Sequence, residues 1–173
     1  MSEAKRGARR FGDQAWELAQ KGDVTALEGA AYLHLRDPSG IEYEGYRARA
    51  FSLAVRNRVP EALSSLNEGW TEEWPTPAAY ATDVARIHML AGDCTAALTA
   101  LQLDLRTIDH IDGLTDFAVA CTRRDPSLWW RALRLAMHGE RGFRKYGTAL
   151  AVVRARLTAT KPQPEISSTI LPS

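Results

Sequence analysis

The sequence has few of the residues from which catalytic and metal sites are usually built. Its 173 residues include two cysteines, Cys94 and Cys121, and four histidines. Two thiols are too few for a disulfide framework or a thiolate zinc site, so we interpret them as small buried side chains in a reducing cytoplasm. No two histidines stand four residues apart, as zinc-protease helices require, and there is no glycine-rich phosphate loop and no nucleophile elbow. The sequence therefore predicts a protein that is not an enzyme and has no cofactor and no metal.

The sequence also lacks a long hydrophobic stretch. No segment approaches the roughly 18 consecutive apolar residues that cross a bilayer, so no membrane partner is expected. The basic start, residues 1–10, is not followed by the apolar core of a signal peptide, and we expect a cytoplasmic protein. Hydrophobic residues make up 45% and charged residues 25% of the chain, which is ordinary for one globular domain.

Charged residues are present in normal number but are unevenly distributed. Residues 61–116 carry ten acidic and two basic side chains, a balance of −8, whereas residues 123–161 carry ten basic and two acidic side chains, a balance of +8. Such an asymmetry concerns partners rather than the fold. One hypothesis is that the acidic stretch of one molecule binds the basic stretch of another, so that the protein self-associates. Within the acidic stretch, His110 lies between Asp109 and Asp112, and we interpret this segment as a solvated loop rather than a metal or acid–base site.

Small residues recur along the chain at a spacing of 35. The recurring residues are Ala15, Ala50, Ala85 and Ala120; the pairs Ala62-Leu63, Ala97-Leu98 and Ala132-Leu133; and Gly22, Asn57 and Gly92. Glycine and asparagine accept the left-handed backbone that ends a helix, and Asp23 and Asp93 directly after them are good starts for a second helix. The pattern therefore predicts a repeated pair of helices joined by a tight turn.

This pattern predicts an all-α fold, an α-solenoid of about four helix–turn–helix units followed by a C-terminal capping helix. The units cover about residues 11–36, 44–70, 78–105 and 113–138, and the capping helix covers residues 140–158. Residues 1–10 form a basic arm, residues 11–160 form the single helical domain, and residues 161–173 form a proline-containing tail. In the capping helix an apolar stripe is expected to cover the last unit. The stripe consists of Phe143, Tyr146, Leu150, Val153 and Leu157.

The units resemble tetratricopeptide-type repeats, which are helix–turn–helix units of about 34 residues. That family places small residues at the eighth and twentieth positions of the unit and a large apolar residue at the twenty-fourth. The matching triplets are Ala50, Ala62 and Leu66 in the second unit, and Ala85, Ala97 and Leu101 in the third. The resemblance covers about residues 11–138, and it implies a solenoid whose first helices line a concave face that binds peptides.

On this alignment eight side chains point into the concave face. They are Trp16, Arg47, Phe51, Thr82, Arg86, Met89, Phe117 and Arg124, which we call the inner-face set. Aromatic and arginine side chains are common binding anchors, and arginines favour an acidic peptide or a carboxylate. The alternative is that Trp16, Phe51 and Phe117 are core residues wedged between units.

The basic C-terminal stretch offers a second candidate site for an anionic partner. Its members are Arg131, Arg134, Arg141, Arg144, Lys145 and Arg156. These residues are able to contact phosphates, and the interleaved Trp129, Trp130 and Tyr146 are able to stack on bases, unless the stretch is simply a solvated face. We therefore predict a non-catalytic scaffold or adaptor that binds an acidic protein or peptide. Nucleic-acid binding is the second choice, and self-association is a further alternative.

Overall fold

The described part of the chain is helical throughout. The computed structural model describes residues 14–36, 42–71, 76–104, 114–139 and 143–159. Within these ranges there are nine α-helices and one short 3₁₀ helix. The α-helices are α1 (14–20), α2 (Val24–Arg36), α3 (Glu42–Val55), α4 (Val59–Glu68), α5 (Pro77–Leu90), α6 (Cys94–Asp104), α7 (Leu114–Arg124), α8 (Trp129–Gly139) and α9 (Arg144–Ala159). The all-α prediction is confirmed, while the predicted arm 1–10 and tail 161–173 lie outside the described residues.

The turn within each of the first three helix pairs has the same geometry. Gly22, Asn57 and Gly92 have φ angles of 70°, 60° and 89°, which is the left-handed region predicted for them. In each turn two successive N–H groups donate to carbonyls of the preceding helix at 2.9–3.0 Å. At Gly92 a Cβ atom would lie 2.5 Å from Nη2 of Arg124, an exposed side chain that can move away, so glycine is favoured here mainly by its φ angle.

The second helices of the pairs begin on residues that the sequence indicates. Asp23 and Asp93 accept a hydrogen bond from the N–H three residues later, at 3.0 and 2.8 Å, and therefore cap α2 and α6. Pro60 stands in the first turn of α4, where a missing N–H costs no hydrogen bond. In the fourth pair Asp125 accepts from the N–H of Ser127 at 2.9 Å and starts the 3₁₀ helix that leads into α8.

Helices pack mostly against their neighbours in sequence. The most extensive contacts join α2 to α3, α3 to α4 and α5 to α6, and α3 also contacts α5. At the C-terminal end α7, α8 and α9 all contact one another. This sequential packing is what a helix-pair array requires, and the solenoid itself stays a prediction.

Small residues at the repeated positions lie inside the fold. The fully buried members are Ala50, Ala85, Ala97 and Ala132. A small side chain at such a position lets two helix backbones approach closely. The fourth pair departs from the pattern, since Ala120 is partly exposed and its neighbours Ala118 and Cys121 are buried instead. Both cysteines are buried free thiols, as the sequence predicts.

A C-terminal helix, α9, is present where the capping helix is predicted, but the prediction of its buried face is wrong. The side chains that α9 buries are Thr148, Val152 and Ala155, and the Thr148 hydroxyl lies 2.6 Å from that of Thr115 on α7. Small and β-branched side chains let neighbouring helices approach closely, and the buried face of α9 is made of such residues. Most of the predicted apolar stripe is therefore exposed. We call Phe143, Tyr146, Leu150 and Leu157 the α9 stripe; these side chains are 92%, 59%, 50% and 62% exposed.

In the described part of the chain, no helix has both the length and the apolar character needed to cross a membrane.

Candidate functional site

Trp16 lies at the centre of the inner-face set and joins residues that are distant in sequence. Its ring meets Phe51 edge-on, with 5.9 Å between ring centroids, and it stacks on Phe117 at 6.3 Å. The guanidinium carbon of Arg86 lies 5.2 Å from the Trp16 ring centroid, which is within cation–π range. Residues of α1, α3, α5 and α7 are thus brought together at one place.

Half of the inner-face set is buried. Phe51, Phe117, Arg47 and Thr82 are at most 6% exposed, Trp16, Arg86 and Met89 are partly buried, and Arg124 is exposed. Such burial is typical of core residues, which was the alternative interpretation of the aromatic members. Because Phe51 and Phe117 are buried, their rings are almost inaccessible to a partner. The binding role of this set stays a prediction.

Beside Trp16 two arginines and two carboxylates form a buried charge cluster with a tyrosine. Asp83 accepts through Oδ2 from the Tyr43 hydroxyl at 2.8 Å and from Nε of Arg47 at 2.7 Å. Through Oδ1 it accepts from Nη1 of Arg86 at 3.2 Å. Nη1 of Arg47 also donates to Oε2 of Glu44 at 2.9 Å. The two positive and two negative charges balance, so the cluster can be buried between α3 and α5.

The surroundings of Tyr43 and Arg47 raise the pKa of both groups. Burial raises the pKa of Tyr43 well above its usual value, and the negative charge of Asp83 raises it further. Burial alone would lower the pKa of Arg47, but the carboxylates of Asp83 and Glu44 outweigh that effect and raise it. Tyr43 and Arg47 therefore both keep their protons near neutral pH.

Three members of the cluster were not predicted from the sequence. Tyr43, Glu44 and Asp83 come from α3 and α5, and Asp83 occupies the position that Ala48 holds 35 residues earlier. The residues at this position of the 35-residue spacing are Asp13, Ala48, Asp83 and Ala118, so the repeat pattern gave no signal for the cluster. The partners of Asp83 could not be found by spacing alone, since the hydrogen bonds from Tyr43 and Arg47 to Asp83 join residues 40 and 36 apart.

The predicted basic set is spread over α8 and α9. Arg134 and Arg144 are exposed, and Arg156 is partly buried. Arg131 donates to the Thr99 hydroxyl of α6 at 2.9 Å, and the Lys145 ammonium lies 5.1 Å from the Tyr146 ring centroid. Arg141 lies outside the described residues.

A cleft between α7 and α9 adjoins the α9 stripe. It has a volume of about 240 Å³ and is lined by Val119, Arg123, Gly147, Leu150, Ala151, Arg154, Ala155 and Thr158. Its walls are largely apolar, while Arg123 and Arg154 are exposed charged members of its lining. Neither arginine forms an ion pair with any carboxylate of the described residues. This α7–α9 cleft therefore combines an apolar lining with two arginines that have no acidic partner there.

A larger cleft, of about 510 Å³, lies between α2, α3 and α4, but its charges pair with one another. Arg56 lies 2.5 Å from Glu28, and Arg58 forms an ion pair with Glu61. Because these charges are already neutralised locally, we regard the smaller α7–α9 cleft as the stronger candidate for recognition of a charged partner.

Comparisons with known proteins give no similar protein against which these surfaces can be compared. No protein-family model, no curated protein and no solved structure matches the chain. The tetratricopeptide likeness accordingly stays a resemblance. Among the described residues, no three histidine, cysteine, aspartate or glutamate side chains are grouped so that they could hold a metal ion.

Proposed function

We propose that this chain is a non-catalytic interaction module that binds an acidic protein segment on the surface formed by α7, α8 and α9. One observation carries the proposal: α9 packs through Thr148, Val152 and Ala155 and leaves the α9 stripe exposed beside arginines that have no carboxylate partner in the described residues. Exposed apolar side chains that cluster on one surface commonly mark interaction sites.

The charge of this region supports an acidic partner. The described residues of α7, α8, α9 and the turn between α7 and α8 carry eight basic and two acidic side chains, which gives a net charge of +6. A positive surface attracts acidic partners during encounter and forms charge-assisted hydrogen bonds in the complex. We place the partner here rather than on the inner-face set, because Arg47 and Arg86 already neutralise carboxylates inside the fold.

The proposal is tested by selecting short linear peptides from a random library against the immobilised full chain. We expect the enriched peptides to be rich in aspartate and glutamate. The double substitution Arg123→Glu and Arg154→Glu should weaken their binding, measured by fluorescence anisotropy, by at least about tenfold, because two charge-assisted contacts become repulsive.

The matched control is Lys21→Glu with Arg36→Glu, which changes the net charge equally at two exposed positions near the two ends of α2. An equal loss of binding in the control would show that only overall charge matters, and peptides without an acidic excess would contradict the proposal. If Arg124→Glu abolished binding while the cleft substitutions did not, the inner-face set would be the better site.

A second candidate function is nucleic-acid binding, and it is favoured by Trp130. This side chain is 55% exposed on α8, next in sequence to Arg131, and is therefore accessible for stacking on a base. A retardation assay with single-stranded and duplex probes at low and high salt tests it, since phosphate contacts weaken steeply as salt rises. Absence of binding at low salt would contradict this candidate.

A further inference from the structure

The α7–α9 cleft has the features of a socket for one apolar side chain. Val119 of α7 and Leu150 and Ala151 of α9 provide apolar lining. Gly147 also lines the cleft, and a Cβ built on it would have no atom within 4 Å, so this part of the cleft is open space. Arg123 and Arg154 contribute the charged side chains of the lining.

The occupant is constrained by the charge and the shape of the cleft. A second copy bound symmetrically through the same surface would bring two regions of net charge +6 together, which repulsion disfavours. A flat lipid surface does not fill a concave cleft, and a phosphate backbone would make no use of its apolar lining. A protein helix with an apolar residue among carboxylates matches both features, because helices commonly bind by inserting apolar anchors into grooves.

We infer that the α7–α9 cleft receives an apolar side chain from an acidic amphipathic helix of the partner, whose flanking carboxylates bind Arg123 and Arg154. The inference rests on the proposed function and specifies its partner. The cleft selects the apolar anchor, the two arginines select the carboxylates, and Tyr146 of the α9 stripe extends the contact along α9. A peptide that has acidic residues but no apolar anchor would contact Arg123 and Arg154 and leave the apolar part of the cleft empty.

The substitution Gly147→Leu tests the cleft without changing any charge. Leucine is a better helix former than glycine, and the first atom of its side chain enters open space, so the fold should be retained and can be checked by circular dichroism. The probe is the acidic peptides enriched from the random library, together with variants in which each apolar residue is changed to serine. We expect one apolar residue to be essential, and Gly147→Leu to weaken binding at least about tenfold.

Gly29→Leu is the matched control, because Gly29 is also an exposed helical glycine with open space at its Cβ position, but it lies on α2. Its binding should equal that of the unsubstituted chain. Acidic peptides that need no apolar residue and bind Gly147→Leu normally would overturn the cleft inference and leave the proposed function intact.

Two other outcomes overturn the inference together with the proposed function. One is the absence of acidic peptides among those enriched. The other is that no peptide binds, while the chain binds vesicles of phosphatidylserine and phosphatidylcholine and Gly147→Leu does not weaken this binding. That result would identify the occupant as a lipid surface. The inference and the proposed function are both supported if an acidic peptide needs its apolar residue for binding, and if Gly147→Leu weakens this binding whereas Gly29→Leu does not.

Discussion

Arginines of the α3–α5 region and of the α7–α9 region have different surroundings. Arg47 and Arg86 are largely buried and hydrogen-bonded to Asp83, within a cluster whose charges balance. Arg123 and Arg154 lie on the surface next to exposed apolar side chains, with no carboxylate partner in the described residues. A buried charge must be satisfied inside the fold because water cannot reach it, whereas a surface charge stays available to a partner. Arg47 and Arg86 thus neutralise carboxylates inside the fold, and Arg123 and Arg154 are the arginines to which the proposed function assigns recognition.

The largest expected effect follows from removing the acceptor at the centre of the cluster. Asp83→Ala leaves the buried guanidinium of Arg47 without its closest acceptor, and should lower the free energy of unfolding by about 3–5 kcal/mol. Urea denaturation measures the loss. Asp83→Asn keeps the shape of the side chain and is used if the alanine variant does not fold.

The control for that experiment is Glu61→Ala on α4, which breaks the exposed ion pair between Glu61 and Arg58. Water solvates both of these side chains, so we expect no measurable loss of stability. Equal stability of the Asp83 and Glu61 variants would show that the buried cluster is not a stabilising element.

A smaller loss of stability is expected from a substitution on the buried face of α9. Ala155 is 3% exposed, so Ala155→Leu should overpack the contact with the neighbouring helices and destabilise the protein by about 1–3 kcal/mol. Leu150→Ser, on the exposed stripe, should change stability by less than about 0.5 kcal/mol. Thermal unfolding of the two variants compares them. The opposite ranking would mean that the stripe packs against the fold, as the sequence alone predicts.

The smallest expected effect is a change in the pH dependence of stability. The pKa of Tyr43 is raised in the folded chain above its ordinary value of 10.0, so the folded state keeps a proton that the unfolded state loses at alkaline pH. The contribution of Tyr43 to the free energy of unfolding is complete below pH 10. It declines as the pH rises above 10, by up to about 1.4 kcal/mol per pH unit.

The variant Tyr43→Phe should remove this part of the alkaline decline. Urea denaturation at a series of alkaline pH values compares its slope with that of the unsubstituted chain. Near pH 7, where Tyr43 keeps its proton in both states, the difference in the free energy of unfolding between the two proteins reflects the lost hydrogen bond to Asp83. Identical alkaline slopes in the two proteins would contradict the assignment of Tyr43 to the cluster.

Local features of the fold were predictable because they depend on neighbouring residues. Gly22, Asn57 and Gly92 take the left-handed backbone that their residue types allow, and Asp23 and Asp93 cap the helices that follow. Four members of the inner-face set, Trp16, Phe51, Arg86 and Phe117, come together in the fold. The sequence left open whether the aromatic members line a groove or form the core; Trp16 packs against Phe51 and Phe117, and both phenylalanines are buried.

Helix positions, turns and the all-α class are set by short-range rules of backbone geometry and hydrophobic spacing, and these can be read from the residues alone. The buried face of α9 and the partners of Asp83 are set by packing between distant segments. On α9 the face of Thr148, Val152 and Ala155 is buried, and the more hydrophobic stripe is left at the surface. Hydrophobic periodicity measures how apolar a helix face is, but not which face meets the neighbouring helices, and on α9 the contacts with α7 and α8 bury the less hydrophobic face.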